Sequence, residues 1–220
     1  MPVILSLDIS SSAGWATREM PKDGSPADGV LNYGVVALER RAKTYGEHPW
    51  GYYEAAKEMA RLLWEIVEKT QPEAVVVEET NGSKNRFSQK FLEYIHAFFL
   101  DRFNDERVRA TVSWLADLKV VYINTSEWRR VTDCHLTKED KNRNAKLSRH
   151  KRKHRDRGTK LDKKALGIAG KTTIKHVAIR RANELYGLSL RPKDDDVADA
   201  ILLLHAYING AKPCMGSEDR

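Results

Sequence analysis

The stretch VILSLDISSSAGWA, residues 3–16, places one acid between a short aliphatic run and a group of small hydroxyl residues. The run from Val3 to Leu7 predicts a short buried strand. A carboxylate such as Asp8 at the end of that strand is costly unless something positive lies against it. We therefore expect a metal ion, a phosphate partner or a structural bond at Asp8. The small residues from Ser10 to Gly14 leave room for a ligand against the backbone.

The length and the charge distribution indicate one domain that carries a basic insertion. A chain of 220 residues can bury a sizeable core, and residues 1–210 are assigned to a single domain. From Lys138 to Lys164 there are 13 Lys and Arg against four Asp and Glu, a local charge of +9, which leaves −2 for the rest of a chain whose net charge is +7. Such a segment indicates a polyanionic partner.

The cysteine content and the absence of long apolar runs indicate in which cellular compartment the protein is expected. Cys134 and Cys214 lie far apart in the sequence and give no disulfide framework, which fits a reducing compartment. No secretory signal or membrane span is visible, because Asp8 interrupts the N-terminal apolar run after five residues. We expect a soluble protein of the cytoplasm, with no membrane partner.

Apolar runs and helical periodicities alternate along most of the chain. GWATRE and the run from Val30 to Leu38 predict a meander after the first strand, and AVVVEE and KVVYIN predict two further strands. Helices are predicted at about 52–68, 87–103, 172–186 and 194–208. Continuous apolar strands that alternate with helices indicate parallel strands covered on both faces. The tract from about Asp133 to Gly170 is predicted to be a loop or a partly disordered insertion, and residues 211–220 a flexible tail.

Four acids from three predicted elements are candidates for a metal site. If the strands that end in Asp8 and Glu78 are neighbours, their carboxylates lie about 5 Å apart at the carboxyl edge of the sheet. In the last helix, Asp199 shares a face with Asp196 or with Asp195. Carboxylates that converge in this way require cations, and hard oxygen ligands suit Mg²⁺ or Mn²⁺. Two such ions can hold the attacking and leaving oxygens of phosphodiester hydrolysis.

The same segments carry a resemblance to a known family. In this order, LDISSSAGWA, QPEAVVVEE, GKTTIKHVAIRRANELYGL and DDDVADAILLLHAYI resemble the sequence blocks of the RuvC-like Holliday-junction resolvases of the RNase H-like superfamily. The resemblance covers most of the chain outside the basic insertion. It implies an α/β fold of the RNase H-like type, a mixed five-stranded sheet with helices on both faces. The basic tract at residues 133–166 is predicted to be a loop insertion within this fold.

The resemblance also implies an activity and a set of metal ligands. It implies a structure-selective endodeoxyribonuclease that resolves four-way and related branched DNA junctions, in the cytoplasm of a prokaryotic cell or a phage-infected host. The metal ligands, which are also the catalytic residues, would be Asp8, Glu78, Asp196 and Asp199, with two Mg²⁺ or Mn²⁺ ions in each active site. The protein would be a homodimer, with the helices at 52–68 and 87–103 as candidate interfaces. Glu78 is preferred to Glu79 by its spacing from Pro72, since adjacent strand residues face opposite sides.

Two departures from the family pattern stand out. Bacterial members have an aromatic residue three positions after the strand acid, and this chain has Asn81 there. Phe87 could take the place of that aromatic residue, although its helical spacing favours a core position. The basic tract is longer than the corresponding bacterial loop, which resembles a phage or divergent branch.

The basic tract is predicted to be a DNA-binding segment of the protein that is mobile without substrate and contacts phosphates. The predicted DNA-binding residues are Lys141, Arg143, Arg149, Lys151, Arg152, Lys153, Arg155, Arg157, Lys171 and Lys175. If about half of the positive residues of the tract contact phosphate, counterion release predicts that log K against log salt has a slope of about −6. Zinc is an alternative ligand here, through Cys134, His135, His150 and His154, but no CxxC pair accompanies them.

Other functions share some of these features. An RNA-processing nuclease of the same fold would use the same acids, and a non-catalytic nucleic-acid binder would use the basic tract alone. The four-acid set favours an enzyme, because a pure binder has no use for it. Actin-like ATPases also place an acid before small hydroxyl residues, but they require a second, similar domain for which 220 residues leave no room.

Overall fold

The structure is a computed structural model that describes residues 2–21, 30–39, 44–79, 86–157 and 170–214, with the backbone alone at residues 86 and 87. Asn81 and the side chain of Phe87, which bear on the missing family aromatic, lie outside what it describes. The same is true of residues 158–169 in the basic tract and of residues 215–220.

A five-stranded mixed sheet forms the centre of the fold, as the sequence predicted. The strands are β1 (Val3–Asp8), β2 (Ser12–Glu19), β3 (Leu31–Ala37), β4 (Ala74–Glu79) and β5 (Lys119–Asn124), in the spatial order β3-β2-β1-β4-β5. The first three strands form an antiparallel meander, while β1, β4 and β5 are parallel. The carboxyl ends of β1, β4 and β5 therefore lie at one edge of the sheet.

Helices cover both faces of this sheet. They are α1 (Trp50–Thr70), α2 (Arg86–Asn104), α3 (Glu106–Thr111), α4 (Thr125–Val131), α5 (Lys138–Asp156), α6 (Ile174–Tyr186) and α7 (Asp195–Ile208). On one face, α1 and α2 pack against Leu5 and Leu7 of β1. On the other face, α6 and α7 pack against Ile4 in a second core. The predicted two-sided covering is confirmed.

Strand alternation decides which way the strand acids point. Leu7 pairs with Val77 across the β1 and β4 ladder, and both side chains lie in the core under α1 and α2. Successive side chains of a strand face opposite sides of the sheet. The next residues, Asp8 and Glu78, are therefore directed to the face that α7 covers.

Two small residues bring α7 close to the sheet. Ser6 is fully buried, and its hydroxyl donates to the carbonyl oxygen of Ala200 in α7 at 2.7 Å. Gly14 of β2 lies against the backbone of Asp196, so the absence of a side chain lets the first turn of α7 approach the strand. These contacts hold the acidic end of α7 at the edge where β1 ends.

The basic tract is not the loop that the sequence predicted, because residues 138–156 form the regular helix α5. Thr137 and Asp140 form a capping box at its N-terminus, which satisfies backbone donors that a helix start leaves unpaired. Lys and Arg have good helix propensity, and their charges point to solvent. The charge-based prediction of disorder is therefore wrong for this part of the tract.

The C-terminal segment is docked as far as residue 214. Ala211 is buried, the amide of Lys212 donates to Glu127 at 3.0 Å, and the amide of Cys214 donates to the carbonyl oxygen of Tyr122 at 2.8 Å. The predicted flexible tail at 211–220 therefore does not begin at residue 211. In the described part of the chain, no helix combines the length and the apolar character needed to cross a membrane.

Candidate active site

The four predicted metal ligands line one cleft at the carboxyl edge of the sheet. Its volume is about 600 Å³. The residues that line it are Asp8, Ile9, Ser10, Glu78, Leu92, Thr125, Ser126, Arg129, Lys175, Asp196 and Asp199. The acids come from the end of β1, the end of β4 and the first two turns of α7. The structure thus brings together residues that are separated by up to 191 positions in the sequence.

Burial and mutual repulsion disturb the ionisation of these acids. Burial raises the pKa of Asp8 well above its usual value, and the charges of Glu78, Asp199 and Asp196 raise it further, while Lys175 opposes the shift. The pKa of Asp199 is raised to about 7, first by burial and then by Glu78. The cleft therefore holds more negative charge than its own cations neutralise, and a bound cation would relieve this repulsion.

Two hydroxyl groups orient the acids at the cleft wall. The hydroxyl of Thr125 donates to Glu78. Asp196 accepts a hydrogen bond from Ser12, which lowers its pKa, although burial and the charge of Asp195 raise it overall. These bonds leave part of each carboxylate available to a ligand.

The geometry distinguishes Glu78 from Glu79. Glu79 does not line the cleft; its carboxylate accepts from the amide nitrogen of Asn124 at 2.9 Å and from the thiol of Cys214 at 3.3 Å. Glu78 lies in the cleft with Asp8. The sequence-based preference for Glu78 agrees with this placement.

Lys175 lies at the mouth of the cleft and pairs with the acids at the start of α7. Its ammonium group donates to Asp195 and lies 3.8 Å from Asp196. The hydrogen bond to Asp195 is the first cause of the raised pKa of Lys175. Asp195 therefore pairs with a cation at the rim, and Asp196 is the acid that lines the cleft together with Asp199.

Arg129 is a functional candidate that the sequence reasoning missed. It lies on α4, and its charge lowers the pKa of Asp199. Its Nε atom is buried and has no hydrogen-bond partner among the described residues. The signal that predicts α4 is the sequence NTSE, in which Asn124 caps a helix with Glu127 three residues later. A helix at that position carries Arg129 to the carboxyl edge of β5.

The ligand types in the cleft fit a hard divalent cation, but their placement is not a finished coordination shell. Four carboxylates, partly buried and mutually repelling, are the oxygen donors that Mg²⁺ and Mn²⁺ prefer. Over the part of the chain that the structure describes, no three His, Cys, Asp or Glu side chains converge closely enough to hold one metal ion. Binding a divalent ion would therefore draw these carboxylates together.

The predicted DNA-binding residues separate into three groups. Seven of them are exposed along α5 or directly after it: Lys141, Arg149, Lys151, Arg152, Lys153, Arg155 and Arg157. Lys171 is exposed before α6, and Lys175 lies in the cleft. Arg143 has a structural role, since its guanidinium pairs with Asp140 and donates to the hydroxyl of Thr172.

The alternative zinc ligands do not come together. Cys134 is buried, and burial raises the pKa of its thiol to about 12. His135 pairs with Asp133 at 3.1 Å. His150 and His154 lie on α5, and the described residues contain no group of three metal-ligating side chains.

A larger cleft, of about 920 Å³, lies between α1 and α2 and shares no lining residue with the acid cleft. Arg61 pairs with Glu58 in its wall, and that hydrogen bond lowers the pKa of Glu58. The smaller cleft is the better candidate active site, because burial and mutual repulsion raise the pKa of its acids Asp8 and Asp199.

Comparison with known proteins supports the fold predicted from the motifs. No protein-family model matches the sequence, and no curated protein sequence matches it. Among solved structures, the Thermus thermophilus RuvC structure has a TM-score of 0.53 at 16% identity and covers 96% of this chain and 99% of its own. T. thermophilus RuvC in complex with Holliday junction substrate has a TM-score of 0.52 at 14% identity and covers 97% and 100%.

A eukaryotic structure has the same architecture. The yeast mitochondrial Holliday junction resolvase Ydc2 has a TM-score of 0.50 at 12% identity and covers 93% of this chain and 77% of its own. At these identities the likeness shows a shared fold. The chain therefore has the α/β fold of the RuvC-like resolvases, as its sequence blocks predicted.

Proposed function

We propose that this protein is a metal-dependent endodeoxyribonuclease that cleaves four-way and related branched DNA junctions. The observation that carries the proposal is the cleft at the carboxyl edge of the sheet, which is lined by Asp8, Glu78, Asp196 and Asp199. The fold is shared with T. thermophilus RuvC in complex with Holliday junction substrate and with the yeast mitochondrial Holliday junction resolvase Ydc2, which supports the choice of substrate.

The metal site would consist of the four cleft carboxylates. Two Mg²⁺ or Mn²⁺ ions bound there would supply an activated water for attack on phosphorus and stabilise the leaving oxygen. Glu78 is held in place by the hydroxyl of Thr125, and Asp196 by Ser12. These contacts keep two of the four carboxylates oriented before substrate arrives.

Two cations of the cleft would bind the scissile phosphate. The buried Nε of Arg129 is an unused donor, and a phosphate oxygen is the kind of acceptor that a guanidinium prefers. Lys175 is paired with Asp195 and Asp196 at the rim. Cations bound by the cleft carboxylates would weaken the attraction of Lys175 to Asp196, so that its ammonium group could donate to a phosphate oxygen while it keeps its bond to Asp195.

The exposed basic face of α5 would bind a DNA arm outside the cleft. Its lysines and arginines project into solvent, and three acids accompany them in the helix. Contacts of this kind are made to phosphates, so they do not recognise the base sequence. This surface explains why the excess positive charge of the chain is concentrated in one segment.

A four-way junction has near two-fold symmetry, so a homodimer with two equivalent cleft sites would match it. Most apolar residues of α1 and α2 are used in the core of the chain itself. Trp50 at the start of α1 is 70% exposed and is a candidate for a contact with a second copy. Light scattering of the free protein and of its DNA complex measures the number of subunits. A monomer in both states would contradict the proposed homodimer.

The proposal is tested by a cleavage assay with and without Mg²⁺ on four substrates: a four-way junction, a flap, duplex DNA and structured RNA. We expect cleavage of the junction above the other substrates, dependent on the metal, with 5′-phosphate and 3′-hydroxyl ends. Preferred cleavage of RNA would instead favour an RNA-processing nuclease of this fold. Junction binding without any cleavage would favour a non-catalytic binder.

The matched variants are Asp8→Asn in the cleft and Asp101→Asn on the exposed surface of α2. Asp8→Asn should abolish cleavage and keep or strengthen junction binding, because it removes negative charge next to the phosphate. Asp101→Asn should behave as the wild type. Full activity of Asp8→Asn would overturn the assignment of the site.

A further inference from the structure

The side chain of Asn144 attaches the basic helix α5 to the segment that precedes α6. Its amide nitrogen donates to the carbonyl oxygen of Thr172 at 2.7 Å, and its amide oxygen accepts from the backbone N–H of Thr172 at 3.0 Å. Asn144 is 9% exposed, and Leu147, one turn further along the helix, is buried. The pair of bonds copies the pattern by which one strand pairs with another.

An ion pair supports this attachment. Arg143 binds the buried carboxylate of Asp140 and donates to the hydroxyl of Thr172. Asp140 in turn belongs to the capping box that starts the helix. From Ser148 onward, the side chains of α5 are exposed or half-buried, so the contacts at Asn144 and Arg143 hold the basic face in position.

The segment that Asn144 holds leads directly into the candidate active site. Thr173 caps α6 by accepting from the backbone N–H of His176. Lys175 stands three residues after Thr172, and it pairs with Asp195 and Asp196. A displacement of Thr172 is therefore carried over one helical turn to the mouth of the carboxylate cleft.

We infer that Asn144 is a positioning residue that fixes the distance between a DNA arm bound on α5 and the carboxylates that cleave it. This inference rests on the proposed function. The chemistry of the contact suits that purpose, since a neutral amide bound to backbone groups is not weakened by salt or competed for by phosphate. The ion pair of Arg143 lacks this protection, because a phosphate can replace the carboxylate of Asp140 as its partner.

The test compares Asn144→Ala with Asn142→Ala, an exposed asparagine on the same helix, using a four-way junction and Mg²⁺. We expect the single-turnover cleavage rate of Asn144→Ala to fall by about tenfold, because small misplacements of a reacting group have large effects on rate. We also expect its cuts to spread over neighbouring phosphodiester bonds. Junction affinity and its salt dependence should stay near those of the wild type, since the basic side chains remain.

Two other results would overturn the inference, and a third would overturn the proposed function. A rate and a cutting pattern equal to those of Asn142→Ala would overturn the inference while leaving the proposed function intact. A loss of junction affinity in proportion to the loss of rate, with a lower helical signal in circular dichroism, would also overturn it, because Asn144 would then only stabilise α5. If the wild type cleaves no branched DNA, the proposed function itself fails.

A conservative variant separates positioning from general damage. Asn144→Asp keeps the acceptor for the amide of Thr172 and loses the donor to its carbonyl oxygen. We expect its rate to lie between those of the wild type and Asn144→Ala, with a narrower spread of cuts than Asn144→Ala. A rate equal to or below that of the alanine variant would count against the hydrogen-bond pair as the positioning contact.

Discussion

Gly14 and Asp196 are in direct backbone contact, since a Cβ atom added to Gly14 would lie 1.9 Å from the carbonyl oxygen of Asp196. The contact sets how closely the first turn of α7 approaches β2. It also sets where Asp196 and Asp199 stand relative to Asp8, because β1 pairs with β2 at Asp8 and Gly14. The glycine of the opening motif is thus a packing requirement of the acid cleft.

Gly14→Ala should therefore damage both stability and activity. The added carbon would force α7 away from the sheet, and overpacking of this kind costs about 1–3 kcal/mol or more. We expect a lower urea midpoint and a large loss of junction cleavage. Gly170→Ala is the matched control, because a Cβ atom there meets no atom within 4 Å. Equal midpoints for the two variants would show that the cleft tolerates the extra carbon.

The raised pKa of Asp199 predicts how stability depends on pH without metal. The folded pKa of about 7 lies above the unfolded value of 3.8, so the folded state binds this proton more tightly. The resulting stability is fully present below the unfolded value and is lost as pH rises through about 7. Asp199→Asn should then be more stable than the wild type at pH 8, by at most about 4 kcal/mol, with a smaller difference at pH 5.

Urea denaturation in EDTA at the two pH values measures this difference. Added Mg²⁺ should stabilise the wild type at pH 8 more than it stabilises Asp199→Asn, because the ion replaces the missing proton as the source of positive charge. If the two proteins lose stability equally between pH 5 and pH 8, Asp199 is not the group responsible.

The two glutamates at the end of β4 should differ in their effect on cleavage. Glu78→Gln should lower the cleavage rate by at least about 100-fold, because the loss even of an outer partner of a metal ligand costs about 10–100-fold. Glu79→Gln should stay close to the wild type, since Glu79 binds Asn124 and Cys214 outside the cleft. The reverse order of activities would assign the site to Glu79.

Arg129 should matter for the reaction more than its neighbour in the sequence. Arg129→Gln removes a cation from the cleft wall, and we expect a loss of cleavage of roughly 100-fold, comparable to removing one donor that stabilises transition-state charge. Arg130→Gln is the control, because Arg130 is exposed and pairs with Glu127 on the same helix. Similar rates for the two variants would exclude Arg129 from phosphate binding.

The exposed charges of α5 should determine the salt dependence of junction binding. The variant replaces with glutamine the residues Lys141, Arg149, Lys151, Arg152, Lys153, Arg155 and Arg157, leaving Arg143 in its structural contacts. If about half of them contact phosphate, the slope of log K against log salt should flatten by about 3 units. Affinity is measured by fluorescence anisotropy over a salt series, with circular dichroism to show that the helix persists. An unchanged slope would indicate that these side chains do not contact the junction phosphates and bind a different partner.

Local patterns in the sequence determined most of the secondary structure and the identity of the acids. The aliphatic runs that end in Asp8 and Glu78 predicted two strands, and the parallel pairing of β1 with β4 brings their ends to one edge. The spacing of Asp196 and Asp199 predicted one helical face. These features depend on residues within a few positions of each other, so they can be read without knowing the fold.

The charge of the basic tract was a poorer guide than its helix signals. Thirteen positive residues in one tract suggested self-repulsion and disorder. The capping residues Thr137 and Asp140 and the good helix propensity of Lys and Arg favoured the helix that the structure shows. Repulsion between solvated charges is weak, because water and salt screen it.

Contacts between distant residues decided the rest, and only the tertiary structure contains them. Whether Glu78 or Glu79 lines the cleft depends on which face of the sheet α7 covers, a relationship across more than 100 residues. Arg129 reaches the cleft because α4 follows the strand next to β4. Asn144 holds α5 through the backbone of Thr172, which any residue type except proline could supply. A backbone partner leaves no mark in the amino-acid sequence, and for this reason the position of the basic helix could not be predicted from it.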